Sequence, residues 1–193
     1  MTKEELNEAR TNPNFLKYLD ETLQYSIKEK DIQGLYQVLD SYLILDLDKS
    51  KIDQIYKNIL LVSQEKIQNK LDKSEILNLN EQNELFYIRA FYEYGIEKYS
   101  YSNLIKAQEI FFILIHLTND NTFIQSLKIH LIVCELEISL EEFTKKYVKN
   151  KIETQDPIYS YFIIEYTINK EEFINKHKNL LNKIDNKLNH LIQ

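Results

Sequence analysis

The scarcity of glycine and proline constrains the fold of this chain more than any other feature of its sequence. The chain has 193 residues but only two glycines and two prolines, where average usage gives roughly 13 and 10. Tight turns between strands need residues that tolerate positive φ, and glycine supplies most of them. Helices joined by Asn, Asp and Ser turns need far less glycine. The shortage therefore predicts an all-α fold.

Apolar residues recur at helical spacing along most of the chain, which predicts about eight or nine helices. Several helix starts carry a capping residue, with Thr-x-x-Glu at residues 2–5 and Asn12 before Pro13 as the clearest cases. Asp156-Pro157 is predicted to start an apolar helix that reaches Ile168, with Tyr159, Phe162 and Tyr166 on one face. A last helix is predicted from Asn169 onward.

The length of the chain favours one helical domain over residues 1–193. The polar segment 69–84 is the best internal boundary that the sequence offers. Short connections favour antiparallel neighbours. We therefore expect helical hairpins, packed either as a superhelix of the tetratricopeptide type or as an irregular helical bundle.

The overall charge excludes some classes of partner. A formal net charge of −6 and a pI near 5.3 disfavour binding to nucleic acid, which needs clustered Lys and Arg. The lysines near residues 145–151 are mixed with acidic residues and are expected on a solvated surface.

The longest strongly apolar run, 110–117, is far shorter than the roughly 20 residues of a membrane helix. We expect no membrane insertion and a cytoplasmic location.

No familiar catalytic or metal-binding motif occurs in the sequence. His116 and His130 lack the His-Glu-x-x-His spacing of a metal site, and Cys134 lacks the electropositive neighbours that activate a thiol. Two glycines cannot build a phosphate-binding loop for a nucleotide cofactor. Asp46-Leu47-Asp48 begins like a calcium loop but lacks its later Gly and Glu. The sequence predicts a protein without metal or cofactor that is not an enzyme. The alternative is an unusual site that combines scattered Tyr with His116, His130 and Glu135.

An aromatic series lies along the helix predicted at about residues 81–99. Tyr87, Phe91 and Tyr94 recur at helical spacing. Such a series usually lies at the edge of a core, but tyrosine is also enriched at protein interfaces because its apolar ring carries a polar tip. These three residues are the candidate partner-binding residues. The competing explanation is that their side chains pack in the protein core.

Residues 91–123 resemble a tetratricopeptide repeat. Gly95 and Ala107 have the spacing of the paired small residues at which the two helices of that repeat touch, and Tyr99 falls at an aromatic position. Phe111, Leu114 and Leu117, followed by Asp120, are similar to a segment of the class II chaperones of type III secretion. The usual proline near 118–121 is absent. The resemblance implies a helix pair in a protein that binds protein segments.

These observations lead to two hypotheses about function. The first is a non-catalytic scaffold or chaperone-like adaptor that grips a peptide or a partner protein, through a groove on the first helix of the pair. The alternative is an inhibitory protein of the immunity type, which would cap the active site of another protein with an acidic face. In either case the partner is a protein.

Overall fold

The computed structural model describes residues 2–149 and 156–192 of the chain. Over these residues the backbone forms ten α-helices and two short 3₁₀ helices, and no strand. The all-α prediction is therefore confirmed. The helices are α1 Lys3–Thr11, α2 Pro13–Glu29, α3 Ile32–Ile44, α4 Lys49–Asp72, α5 Gln82–Ser100, α6 Leu104–His116, α7 Asn121–Glu135, α8 Leu140–Tyr147, α9 Lys170–Lys176 and α10 Lys178–Leu188, with 3₁₀ helices at Pro157–Tyr161 and Asn189–Leu191.

The helix starts follow local capping chemistry. Thr2 and Glu5 form the reciprocal capping box before α1, and the Asn12 side chain accepts hydrogen bonds from the first turn of α2, which opens with Pro13. Asp31 caps α3 through the amide of Gln33. Each cap satisfies backbone N–H groups that have no partner within the helix. These boundaries are set by neighbouring residues, so the sequence was sufficient to predict them.

The chain forms two compact units, Met1–Lys66 and Ile67–Gln193. Helix α4 begins in the first unit and ends in the second, and the division precedes the polar segment 69–84. A single domain over 1–193, with a boundary within that segment, stays a prediction. No helix in the described part of the chain has both the length and the apolar character needed to cross a membrane.

In the first unit, α2 and α3 approach each other closely at Gly34. A Cβ atom on Gly34 would collide with the hydroxyl of Ser26 and lie 2.7 Å from a carboxylate oxygen of Asp31. The Ser26 side chain is fully buried, and its hydroxyl has no hydrogen-bond partner among the described residues. Gly34 is thus required by the packing of the helix pair.

Gly34→Ala is expected to lower the free energy of unfolding by about 1–3 kcal/mol, because the added methyl group overpacks the contact with Ser26. At an exposed helix position the same change would stabilise the protein by roughly 0.5–1 kcal/mol. Ser26→Ala removes the colliding oxygen, so the double variant should recover part of the loss. Urea unfolding of the four proteins measures this coupling. Additive effects would contradict the close contact.

In the second unit, α5 and α6 form the hairpin that the resemblance predicted. A Cβ atom on Gly95 would lie 2.7 Å from the Phe111 ring and 3.2 Å from Ile110, and Ala107 is fully buried. Helix α6 packs against α7, and α7 packs against α9 and α10. Packing between adjacent helices is compatible with a helical repeat.

The prediction of a helix over residues 157–168 is wrong. Only Pro157–Tyr161 is helical, as a 3₁₀ helix, and the chain then becomes extended. Tyr166 forms an antiparallel bridge with Val148, supported by the hydrogen bonds from the amide of Lys149 to the Glu165 carbonyl and from the amide of Thr167 to the Tyr147 carbonyl. We call residues 162–168 the strap. Tertiary pairing here overrides an apolar spacing that favours a helix.

The last predicted helix is interrupted at His177, which separates α9 from α10. The imidazole Nδ1 of His177 lies 2.9 Å from the carbonyl oxygen of Phe173, and its backbone amide also bonds to α9 carbonyls. After the interruption, α10 packs against α6 and α7, with Leu181, Ile184 and Leu188 buried.

Candidate functional site

The predicted partner-binding flank lies on α5, and its three residues differ in exposure. Tyr87 is only 8% exposed, whereas Phe91 and Tyr94 are half-buried. The ammonium group of Lys98 lies 4.5 Å from the centre of the Tyr94 ring. Phe91 and Tyr94 therefore retain surface for a partner, while Tyr87 offers little.

Tyr92, on the adjacent face of α5, is buried and belongs to a hydrogen-bonded network. The Tyr92 hydroxyl lies 3.2 Å from Nε2 of His130 and accepts a hydrogen bond of 2.9 Å from the amide of Ile163. Nδ1 of His130 lies 2.8 Å from the Ser126 carbonyl oxygen, which can only accept. Nδ1 therefore carries the proton, and Nε2 accepts the proton of Tyr92.

The same network fixes the strap to α7. The Ile163 carbonyl accepts hydrogen bonds from the hydroxyl groups of Ser126 and Tyr166, the latter at 2.8 Å. The Phe162 ring packs edge-on against Tyr92, with centroids 5.1 Å apart. Because buried polar groups cost free energy unless they are paired, this arrangement holds the strap in one position.

The residues proposed for an unusual catalytic site lie in different surroundings. His130 is fully buried, and desolvation lowers its pKa to about 4. His116 is exposed at the end of α6. The Glu135 carboxylate is held by Gln108 at 2.9 Å and Lys183 at 3.1 Å, and these contacts lower its pKa. Burial raises the pKa of the Cys134 thiol to about 12. Across the described residues, no group of three His, Cys, Asp or Glu side chains could hold a metal ion.

A groove of about 600 Å³ runs between α6 and α7 on one side and α9 and α10 on the other. Its floor is apolar, with Phe112, Leu131 and Leu181 buried and Ile115 half-buried. An apolar floor with a few polar groups around it is typical of ligand-binding sites. We call it the α6–α10 groove.

One wall of the groove is rich in side-chain amides. Asn182, Asn186 and Asn189 follow one another at intervals of four and three residues, so they lie on one face of the α10 region, and Asn175 extends this face onto α9. All four are exposed. Each amide offers both hydrogen-bond donors and an acceptor.

Four lining residues carry ionisable side chains: His116, Lys128, Lys178 and Asp185. Counting the lysines and the aspartate alone gives a net charge of +1, in a chain whose formal net charge is −6. The groove thus differs in sign from the protein as a whole. It follows α6, the second helix of the predicted pair, rather than the first helix that the sequence analysis favoured.

The groove is not evident from the sequence because its residues are separated by long stretches of chain. Asn and Lys on the last predicted helix looked like an ordinary solvated surface. The one available signal was the spacing of Asn182, Asn186 and Asn189, which aligns polar amides rather than charges.

Comparison with known proteins gives no match: no family, no curated protein and no solved structure is similar enough to this chain to be identified with it. The candidate site therefore has to be interpreted from its own chemistry.

Proposed function

We propose that this protein is a non-catalytic protein-binding module that holds a peptide segment of a partner protein in the α6–α10 groove. The observation that carries the proposal is the combination of an apolar floor with amide groups along one wall. A peptide presents apolar side chains together with backbone donors and acceptors, so it can satisfy both surfaces at once. The resemblance of residues 91–123 to a repeat that binds protein segments points the same way.

The aromatic flank on α5 is the competing position for a partner. Phe91 and Tyr94 could supply anchoring contacts, but Tyr87 is nearly inaccessible. The groove offers a concave surface with convergent polar groups, which a helix flank lacks. We therefore place the peptide in the groove and treat the flank as the alternative outcome of the test.

The test is selection from a displayed library of random dodecapeptides on the full chain, followed by affinity measurement. Asn182→Leu with Asn186→Leu keeps side-chain size, raises helix propensity and removes two amides. We expect this double variant to lose at least about tenfold in affinity, since each hydrogen bond contributes about 1 kcal/mol. Asn179→Leu is the matched control, because Asn179 is an exposed α10 asparagine outside the groove.

Phe91→Ala with Tyr94→Ala completes the comparison. This variant should retain its circular dichroism spectrum and its affinity for the selected peptides. Selection of no peptide above background by the folded protein would overturn the proposal. Loss of affinity in the flank variant, with full affinity in the asparagine variant, would move the site to α5.

A further inference from the structure

We infer that the groove is specific for an extended peptide segment that carries an acidic side chain. The main chain of this segment lies along the asparagine face, and the carboxylate lies at the end of the groove near Lys128 and Lys178. The inference rests on the proposed function and specifies the chemistry of the partner.

The spacing of the asparagines favours an extended main chain. Residues four apart on a helix are separated by about 6 Å along its axis, as for Asn182 and Asn186. In an extended peptide, groups that point to the same side repeat every two residues, about 6.7 Å apart. The amides of Asn182 and Asn186 can therefore bond to successive peptide groups on one edge of the segment, whereas a helical ligand would offer none.

The length of the wall sets the length of the segment. Lys178 and Asn189, at its two ends, are eleven residues apart, which corresponds to about 16 Å along a helix axis. An extended chain covers that distance in about five residues. The ligand is thus a short segment rather than a domain.

One ion pair and one hydrogen bond orient α10 along the groove. Lys183 reaches Glu135 at 3.1 Å, and Lys187 reaches Gln108 at 3.5 Å. The later half of α10 therefore lies at the end of α7 and the beginning of α6. Asp185 lies between Lys183 and Lys187 in sequence, so it belongs to this later half of α10.

The basic groups belong to the opposite end. On α10, Lys178 lies five residues before Lys183. On α7, Lys128 lies seven residues before Glu135, and on α6, His116 lies eight residues after Gln108. These separations correspond to about 8–12 Å along each helix axis. Two ammonium groups and an imidazole thus share one end of the groove, and the one lining carboxylate, Asp185, lies about 10 Å further along α10. Such a distribution selects a ligand carboxylate and fixes the direction of the peptide.

The experiment uses fluorescein-labelled heptapeptide mixtures, acetylated at the N-terminus and amidated at the C-terminus. One position is fixed as Glu, Gln or Lys, and the others are randomised among uncharged residues. Fluorescence polarisation with the full chain should show the Glu mixture bound at least about tenfold more tightly than the Gln mixture. This preference should weaken as salt is raised.

Lys128→Met with Lys178→Met keeps the aliphatic stems and should reduce the Glu preference to less than twofold. Lys176→Met is the control, because Lys176 is an exposed α9 lysine outside the groove, and it should keep the preference. N-methylation of alternate peptide groups should weaken binding of every mixture to the wild type.

The outcomes separate this inference from the proposed function. If the Glu and Gln mixtures bind equally, or if the Lys mixture binds best, the acidic specificity is wrong while peptide binding stands. If N-methylation has no effect, the extended main-chain contact is wrong. If no mixture binds the folded chain, the proposed function itself fails.

Discussion

Replacing Tyr92 by alanine is expected to lower the free energy of unfolding by about 3–5 kcal/mol, the usual cost of truncating a buried aromatic residue. The Tyr92 ring lies within 5.1–6.1 Å of the rings of Phe111, Phe123, His130 and Phe162. Its hydroxyl also bonds to His130 and to the Ile163 amide. Since domains are stable by about 5–15 kcal/mol, this change should remove much of the stability.

Two companion variants separate the causes. Tyr92→Phe keeps the ring but leaves a buried imidazole nitrogen and a buried amide without a partner, so we expect a loss of about 1–3 kcal/mol. Tyr94→Ala, two residues away on the half-buried flank, should cost no more than about 1 kcal/mol. Urea unfolding followed by circular dichroism measures all three. Equal losses at positions 92 and 94 would contradict the internal position of Tyr92.

The second large effect is expected on lowering the pH. The folded protein holds His130 neutral, with a pKa of about 4 against 6.5 for an ordinary histidine. The unfolded chain therefore binds the proton first as the pH falls. The stability that this difference provides is fully present above pH 6.5 and is lost between pH 6.5 and 4. The loss attributable to His130 should reach about 3 kcal/mol.

Acidic residues also titrate as the pH falls, so the measurement compares two proteins. His130→Gln cannot titrate, and its stability should fall less steeply between pH 6.5 and 4 than that of the wild type. Parallel curves would contradict the assignment. Direct observation of the His130 ring by NMR in the wild type gives a second test, since a midpoint above about 6 would also contradict it.

Local signals in the sequence were enough to predict most helices. Thr2 before α1 and Asn12 before Pro13 act on amides within three residues of themselves. The small residue Gly95 indicated close approach of two helices, and it does contact α6. Such features depend on neighbours along the chain or on one helix pair, so the local sequence pattern is enough to predict them.

The strap could not be predicted because its conformation depends on distant residues. Tyr159, Phe162 and Tyr166 have helical spacing, yet Ile163 bonds to Tyr92, which is 71 residues away in sequence. Ser126 holds the Ile163 carbonyl from α7. No local pattern contains these partners.

The groove escaped prediction for the same reason. His116, Lys128 and Asn186 come from three helices, and each looks like an ordinary surface residue when its own helix is considered alone. Because α10 packs against both α6 and α7, its asparagine amides line a concave surface.

NMR chemical-shift mapping of the full chain with the capped Glu-containing heptapeptide mixture tests the central claim most directly. If the groove holds an extended peptide, the side-chain NH₂ signals of Asn182 and Asn186 should shift, together with the backbone amides of Ile115 and His116. The Asn179 side chain and the Phe91–Tyr94 flank of α5 should stay unchanged. Shifts confined to that flank, or no shifts in a folded protein at saturating peptide, would contradict the account.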